Sequence, residues 1–402
     1  MDHRSDPVRQ RRIYDGLSAL LSFAFSDEQE QFRGVLDTFA RKALAPGYID
    51  RAASSTYPME VHRQLGDLGV LGVGFPEKYG GTGVEDPVML GLATETLAYG
   101  DVNMAAAPVQ LGLSASQLLN GSEAIQEHYL SRIIAGDITC GIALTEPQAG
   151  SDAAGLRTVA TPDGSGWRLT GEKTAITWAC NAAAMLIYAR APGTTKSTGI
   201  SCFVVPLPSE GTTVTPIAGM GCLPLGWGSI HLDDVFVPRD ALVGEEGRGF
   251  SSALAHFGFS RAALGLLCLG AAQASLDEAA AYATQREAFG QPIANYQGVS
   301  FSLAEHTTFV EAARWLCYRS LWQRDASLPH NTTAAMSKWW APVVALDAIQ
   351  ASMRIHGNLG YATALPLQQR HRDVMAYLVA DGTSEIQKHI IAKDILSRAT
   401  QR

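Results

Sequence analysis

A chain of 402 residues is too long for one small core and predicts two or three domains. Hydrophobic residues make up 47% and charged residues 17%, which leaves ample apolar surface to bury and excludes global disorder. The net charge of −8, with no basic stripe, argues against nucleic-acid binding, although local Arg and Lys groups can still hold small anions.

The opening MDHRSDPVRQRRIYDGLSALLSF is basic early and has only a short, interrupted apolar patch. It fits neither a cleaved signal peptide nor a spanning helix, so a cytoplasmic protein without membrane insertion is expected. From about 25 to 137, DEQEQFRGVLDTFARKAL, MEVHRQLGDLGVLGV, VMLGLATETLAYGD and EAIQEHYLSRIIAG have helical spacing, and Gly-rich FPEKYGGTGVED is a loop between two of them. WRLTGEKTAI, AMLIYARA, GISCFVVPL, GTTVTPI and GSIHLDDVFV then follow as short strands punctuated by turns, the pattern of a small sandwich or barrel. Long helices return in FSSALAHFGFSRAALGLLCLGAAQASLDEAAAYATQREAFG, VSFSLAEHTTFVEAARWLCYRSLWQRDASL and TAAMSKWWAPVVALDAIQASMRIHG, apolar or small on most faces, as in a buried bundle.

The expected fold is therefore mostly α with a central β domain. A helical domain spans 1–137, with 1–24 as an extra segment, a β domain spans 138–243, and a four-helix bundle spans 244–402. The six cysteines form no CxxC pair, and no His lies at zinc-like spacing. They read as buried free thiols of a reducing compartment, with no metal site expected.

No GxGxxG follows a strand, and there is no P-loop or HExxH, so a Rossmann site or zinc hydrolase is unsupported. Four other stretches stand out. In GIALTEPQAGSDAAGL a strand runs into Thr145-Glu146-Pro147 and then Ala149-Gly150-Ser151-Asp152. Such a loop either lies against a flat polar ring or phosphate, or is a plain β-turn. GEKTAITWACNAAAMLIYAR reads as a hairpin whose Thr177 hydroxyl reaches the same ring. QREAFGQPIANYQGVSFSLAE places Arg286, Phe289 and Gln297 around a Gly-Gln-Pro break between two helices, which is also what an ordinary helix corner looks like. IHGNLGYATALPLQQRHRDVMAYLVADGTSEIQ leads into an amphipathic helix with Ile386, Ile390, Ile391 and Ile395 on one face. Ser384 reads as its N-cap, and Gln387 completes a capping box. Asp381 lies just outside that helix, where it either helps cap it or does chemistry.

In this order and spacing the four stretches resemble the acyl-CoA dehydrogenase family, from about Phe25 to Leu396. The resemblance implies N-terminal helices, a middle β domain, a C-terminal bundle, bound FAD and a homotetramer or homodimer. It also implies an electron acceptor such as electron-transfer flavoprotein. By the same resemblance Ile142, Leu144, Thr145, Gly150 and Ser151 line the flavin, and Thr177 lies beside its ring. Arg286, Phe289 and Gln297 reach the ADP part in a neighbouring subunit, and Thr383 and Glu385 supply C-terminal contacts. Ser151, Ser260, Arg261, Ala380 and Gly382 fall on the substrate side. There are departures. Ala175 replaces an aromatic, with Trp178 displaced to the other side of Thr177. Gly357-Asn358-Leu359-Gly360-Tyr361 stands for Gly-Gly-x-Gly-Tyr, Arg354 replaces a Gln, and Cys222-Leu223-Pro224-Leu225 replaces a polar stretch.

The family's base is usually Glu in a Tyr-Glu-Gly-Thr turn, which here reads Ala380-Asp381-Gly382-Thr383. The family's second base position, just before Arg261, is Ser260, so Asp381 is the only carboxylate at either place. A desolvated carboxylate can take the α-proton of an acyl thioester as hydride leaves the β-carbon for flavin. The helix dipole favours the anion of Asp381 and burial disfavours it. The expected activity is FAD-dependent dehydrogenation of an acyl thioester, on CoA or an acyl-carrier protein, to the 2,3-enoyl product. Asp is shorter than Glu and Ala380 leaves room, which points to a branched or alicyclic acyl group. Two rivals remain. One is a nitroalkane-oxidase-like oxidase with an Asp base, whose cue, an Arg one or two helical turns beyond the Asp, is Lys388 here. The other is a catalytically inactive flavoprotein that serves as a binding module.

Overall fold

The computed structural model describes residues 24–400, apart from the side chains of residues 255, 256 and 259. All but the last residue of the extra segment expected over 1–24 lies outside them. Helix α1 (Asp27–Phe39) opens on a capping box, with the Ser26 hydroxyl accepting from the Gln29 amide and the Gln29 side chain accepting from the Ser26 amide. Helices α2 (Tyr48–Ala52), α3 (Met59–Asp67), α4 (Pro87–Gly100), α5 (Val102–Leu118) and α6 (Glu123–Ile134) follow. The helical patterns above do not include α5. Its sequence VNMAAAPVQLGLSASQL is buried on nearly every side and holds Pro108 within it, so it has no polar stripe to mark a helical period. Asp101 starts it, its carboxylate accepting from the Asn103 and Met104 amides.

Eight strands form the middle sheet: β1 (Cys140–Ala143), β2 (Val159–Asp163), β3 (Gly166–Ile176), β4 (Ala184–Arg190), β5 (Ile200–Pro206), β6 (Thr212–Pro216), β7 (Gly228–Pro238) and β8 (Leu242–Val243). Their order is β6-β7-β3-β2-β4-β5-β8, with β1 added on β4. Among the strand pairings of the described residues, the two halves of the sheet join through the one pair Val159 and Arg190. Every residue of β4 is buried, so both its faces are covered, whereas β7 has several exposed residues. The hairpin expected between β3 and β4 does not form, because β3 pairs with β2 and β7, and β4 pairs with β1 and β5. Backbone bonds from Trp178 to Leu225 (2.7 Å) and from Cys180 to Gly226 (3.1 Å) draw the chain aside after β3. The fully buried Trp178 ring packs edge-on against Tyr57 and His62.

The C-terminal helices are α7 (Gly249–Gln285), α8 (Gln297–Asp325), α9 (Asn331–Ile355), short α10 (Asn358–Tyr361), α11 (Leu367–Met375) and α12 (Ser384–Thr400). Helix α7 packs on α4, α5, α8 and α9. It stops at Gln285, short of the Gly290 expected, because Arg286 turns extended and the next residues pair as β9 (Glu287–Ala288) and β10 (Gln291–Pro292). Phe289 and Gly290 at the tip have φ of 52° and 81°, both positive, as a tight two-residue hairpin turn requires. All six cysteines are free. Four are buried as expected, while Cys222 is half-buried and Cys180 exposed.

Two buried carboxylates lock these layers. Asp373 on α11 accepts from Tyr48 Oη (2.7 Å), Asn103 Nδ2 (3.0 Å), the Cys222 amide (2.6 Å) and Gln369 Nε2 (2.9 Å). Glu146 accepts from Lys173 Nζ (2.7 Å), the Thr158 amide and hydroxyl, and the Arg157 amide. The Glu146 carboxyl is held down to about 2: burial pushes it up, but the Lys173 ammonium and these bonds outweigh burial. Burial pushes Lys173 down to about 8.

Removing the Asp373 carboxylate strands donors from three parts of the chain. Asp373→Ala is expected to cost at least about 3 kcal/mol in denaturant unfolding, and a variant as stable as wild type would show that this clasp does not hold the layers. Glu146→Gln leaves Lys173 charged and buried, with an expected loss of about 3–5 kcal/mol at pH 7. Because folding lowers the Glu146 pKa, its contribution is present above the ordinary carboxylate range and is lost as pH falls toward about 2. The decline of wild-type stability over that acid range should be shallower in Glu146→Gln.

Candidate active site

Three elements converge on Asp381: α7 through Arg261, α9 through Lys338, and the turn between α11 and α12 that carries Asp381 itself. Asp381 and Gly382 have φ of 52° and 88°. The left-handed region admits Asp more readily than Glu, because a short polar side chain bonds locally there. Helix α12 starts at Ser384, and the Thr383 hydroxyl accepts from the Ile386 amide at 3.4 Å, so Thr383 is the cap instead of Ser384. Gln387 closes no capping box. It is buried, and its Nε2 donates to the carbonyls of Asp381 (3.3 Å) and Gly382 (3.2 Å). The isoleucine face is shallower than expected, with Ile386, Ile390 and Ile391 half-buried and Ile395 exposed.

With Thr383 as cap, the Asp381 carboxylate is left over. Its Oδ2 is buried without a hydrogen-bond partner among the described residues. Burial pushes the carboxyl up, and the charges of Lys338 and then Arg261 offset part of that rise. Burial therefore outweighs the two neighbouring positive charges. Lys338 is 1% exposed, and its Nζ donates to the carbonyls of Tyr377 (2.7 Å) and Gly382 (3.4 Å). Arg261 Nη1 donates to Asn331 Oδ1 at 2.7 Å, while its buried Nε has no partner among the described residues. Burial lowers the pKa of both cations, and Asp381 opposes that effect. Lys338 is missing from the candidates read from the sequence. The available signal was a lone charge in the otherwise small and apolar AAMSKWWAPVV, where a buried cation needs partners. Of the other substrate-side residues, Ser260 is fully buried with its hydroxyl donating to the Phe257 carbonyl, so no surface of it is open to a substrate. Ala380 and Ser151 are exposed and Gly382 is half-buried.

The exits of β1 and β3 lie side by side. The Thr174 amide donates to the Thr145 carbonyl at 3.0 Å, and a Cβ added to Gly141 would sit 3.0 Å from the Thr177 carbonyl. Ile142, Leu144, Thr145 and Thr177 are gathered there, all half-buried except the buried Leu144. A Cβ added to Gly150 would meet nothing within 4 Å, so the turn beside exposed Ser151 presents open backbone. An apolar floor, two threonine hydroxyls and an open Gly-Ser turn suit a flat ring with a polar edge, and FAD fits this set. Trp178 does not replace the missing aromatic, because its ring is in the core and Ala175 is exposed. Arg286, Phe289 and Gln297 sit apart from this group, exposed on the hairpin that rests on α7 and at the start of α8, and Phe289 is 96% exposed. Glu385 is exposed on the first turn of α12. Lys388 lies 4.9 Å from the Trp339 ring centre, and the charges acting on Asp381 are those of Lys338 and Arg261. No helix among the described residues is long and apolar enough to cross a membrane.

Comparison with known proteins matches this architecture along its length. The N-terminal, middle and C-terminal domains of acyl-CoA dehydrogenase match residues 26–137, 141–235 and 247–396. The chain is 34% identical over 388 residues to the probable acyl-CoA dehydrogenase YngJ of Bacillus subtilis, covering 94% of this chain and 100% of that protein. It is 34% identical over 384 residues to benzylmalonyl-CoA dehydrogenase of Aromatoleum aromaticum, covering 94% and 100%. The solved structure of butyryl-CoA dehydrogenase from Megasphaera elsdenii gives a TM-score of 0.89 at 31% identity, over 94% of this chain and 100% of that one. The chain belongs to the acyl-CoA dehydrogenase family.

Proposed function

We propose that this family member, a flavoprotein oxidoreductase acting on CH–CH groups, converts an acyl thioester to its 2,3-enoyl product with Asp381 as the base. The observation that carries the assignment is a buried carboxylate oxygen without a hydrogen-bond partner among the described residues, within the electrostatic influence of two buried cations. A carboxylate whose oxygens were all taken could not accept a proton at this cost. One that was exposed would be too weak a base near neutral pH. Burial raises its proton affinity, while Lys338 and Arg261 favour its ionised form. Asp381 Oδ2 takes the α-proton, the α C–H pair becomes the C=C bond, and hydride leaves the β-carbon. FAD, when bound, supplies the acceptor for that hydride. Ile142, Leu144, Thr145, Gly150, Ser151 and Thr177 would hold its ring side, with Thr383 and Glu385 near the base turn. A fully exposed Phe289 on a tight hairpin supports contact with a second copy, so that Arg286, Phe289 and Gln297 hold the cofactor from a neighbouring subunit.

The acyl group we infer is branched or alicyclic. Asp reaches about an ångström less far than Glu, and the exposed Ala380 leaves space where the family carries an aromatic. The relative named benzylmalonyl-CoA dehydrogenase has a bulky, branched acyl group in its name, which supports the same reading. Electron-transfer flavoprotein is the acceptor the family favours. The oxidase reading loses its cue, because Lys388 lies over Trp339.

Anaerobic acyl-CoA should bleach the flavin, whereas bleaching by a nitroalkane with oxygen uptake would identify an oxidase. Asp381→Asn should lower that reduction rate at least about a hundredfold. The ionised carboxyl costs stability above its raised pKa, so the Asn variant should melt no lower than wild type at pH 7. Near wild-type reduction would remove Asp381 from the chemistry. Asp381→Glu carries its backbone strain for every substrate alike, so the activity ratio between substrates isolates shape. Activity on branched or cyclic thioesters relative to linear ones should fall by about ten- to a hundredfold. An unchanged or higher ratio would contradict the substrate assignment.

A further inference from the structure

We propose that Lys338 is a positioning residue for this reaction: its ammonium bonds the carbonyls of Tyr377 and Gly382 on either side of Asp381, fixing the base-bearing turn and holding a positive charge beside the carboxylate. The inference rests on Asp381 being the base. Tyr377 lies on the turn after α11 and Gly382 directly follows Asp381, so both bonds span the left-handed segment that aims the carboxylate. Gln387 bonds the same segment from α12, through the carbonyls of Asp381 and Gly382. The turn is thus held from two helices by side chains that leave the carboxylate free.

A structural tie alone does not require a charge there. Burying an ammonium is costly, and a neutral amide would satisfy two carbonyls at less expense. The carboxylate whose charge acts on Lys338 is Asp381, which opposes the effect of burial. The charged and titratable groups around the cluster are Arg261 and Cys268 from α7, Lys338 from α9, Asp373 from α11, Tyr377 from the turn and Cys222 from the middle segment. Arg261 spends one nitrogen on Asn331, so the positive charge that is also bonded to the base turn is that of Lys338. Such a charge stabilises the ionised base before proton transfer.

The test follows flavin reduction by acyl-CoA against pH in the holoenzyme of wild type, Lys338→Gln, Lys338→Met and Lys338→Arg. The base must be ionised, so the rate rises with pH through its pKa. Gln keeps a donor without charge and should move the midpoint up by about one pH unit or more. Met should give the same shift with a plateau at least about tenfold lower, because the turn also loses its tie. Arg, which keeps charge and donors, should return the midpoint to wild type. An unshifted midpoint in the Gln variant overturns the proposal however slow the enzyme is. So does failure of both Gln and Met variants to fold with flavin, which would make Lys338 a core lysine only. Asp381→Asn separates the two levels: near wild-type reduction removes the base assignment itself, whereas an inert Asn variant with an unshifted Gln profile removes only the role of Lys338.

Discussion

The Asp373 carboxylate holds the rest of the molecule in register. It sits on the short helix α11, eight residues before the proposed base, and takes hydrogen bonds from an N-terminal tyrosine and asparagine, a backbone amide of the middle segment and a glutamine of its own helix. Without that clasp, α11 would lose its hydrogen bonds to Tyr48 and Asn103, while Arg372 would still donate to the Met220 carbonyl of the middle segment. The turn is then fixed a second time from below by Lys338 and Gln387. A strained, left-handed Asp persists because its surroundings over-determine it.

Three buried carboxylates show how local hydrogen bonding separates structure from chemistry. Glu146 has a lysine, a hydroxyl and two amides, and its proton affinity falls far below the ordinary carboxylate range. Asp373 has four donors, yet burial still pushes its pKa up. Its oxygens are all engaged, so a raised pKa alone does not mark a base. Asp381 has the raised pKa and also an oxygen with no hydrogen-bond partner among the described residues. Both conditions are needed for proton abstraction, because the acceptor atom must be unengaged by other donors as well as basic.

Much of this was legible in the chain. Apolar spacing located the amphipathic helices, and turn clusters located the strands, since both patterns are local. What was not legible depends on partners distant in sequence. Helix α5 is small and apolar on all sides and contains Pro108, so its burial is visible only once α4 and α7 enclose it. The break between β3 and β4 follows from Trp178 reaching Tyr57 and His62, more than a hundred residues away. Ser384 is the better cap by type, yet α12 begins at Ser384 and Thr383, after the left-handed pair, takes the capping bond. Asp381 was found by its resemblance to a family turn, whereas Lys338, placed beside it by the packing of α9 against α12, was not.

The central claim is that burial makes Asp381 a base by raising its proton affinity while leaving one oxygen free. The most direct measurement is an infrared titration of the holoenzyme, with the Asp381 carboxyl stretch identified by its loss in Asp381→Asn. The account predicts a protonation midpoint clearly above the ordinary aspartate value of about 3.9. A carboxylate that stays ionised down to that value or below would contradict it.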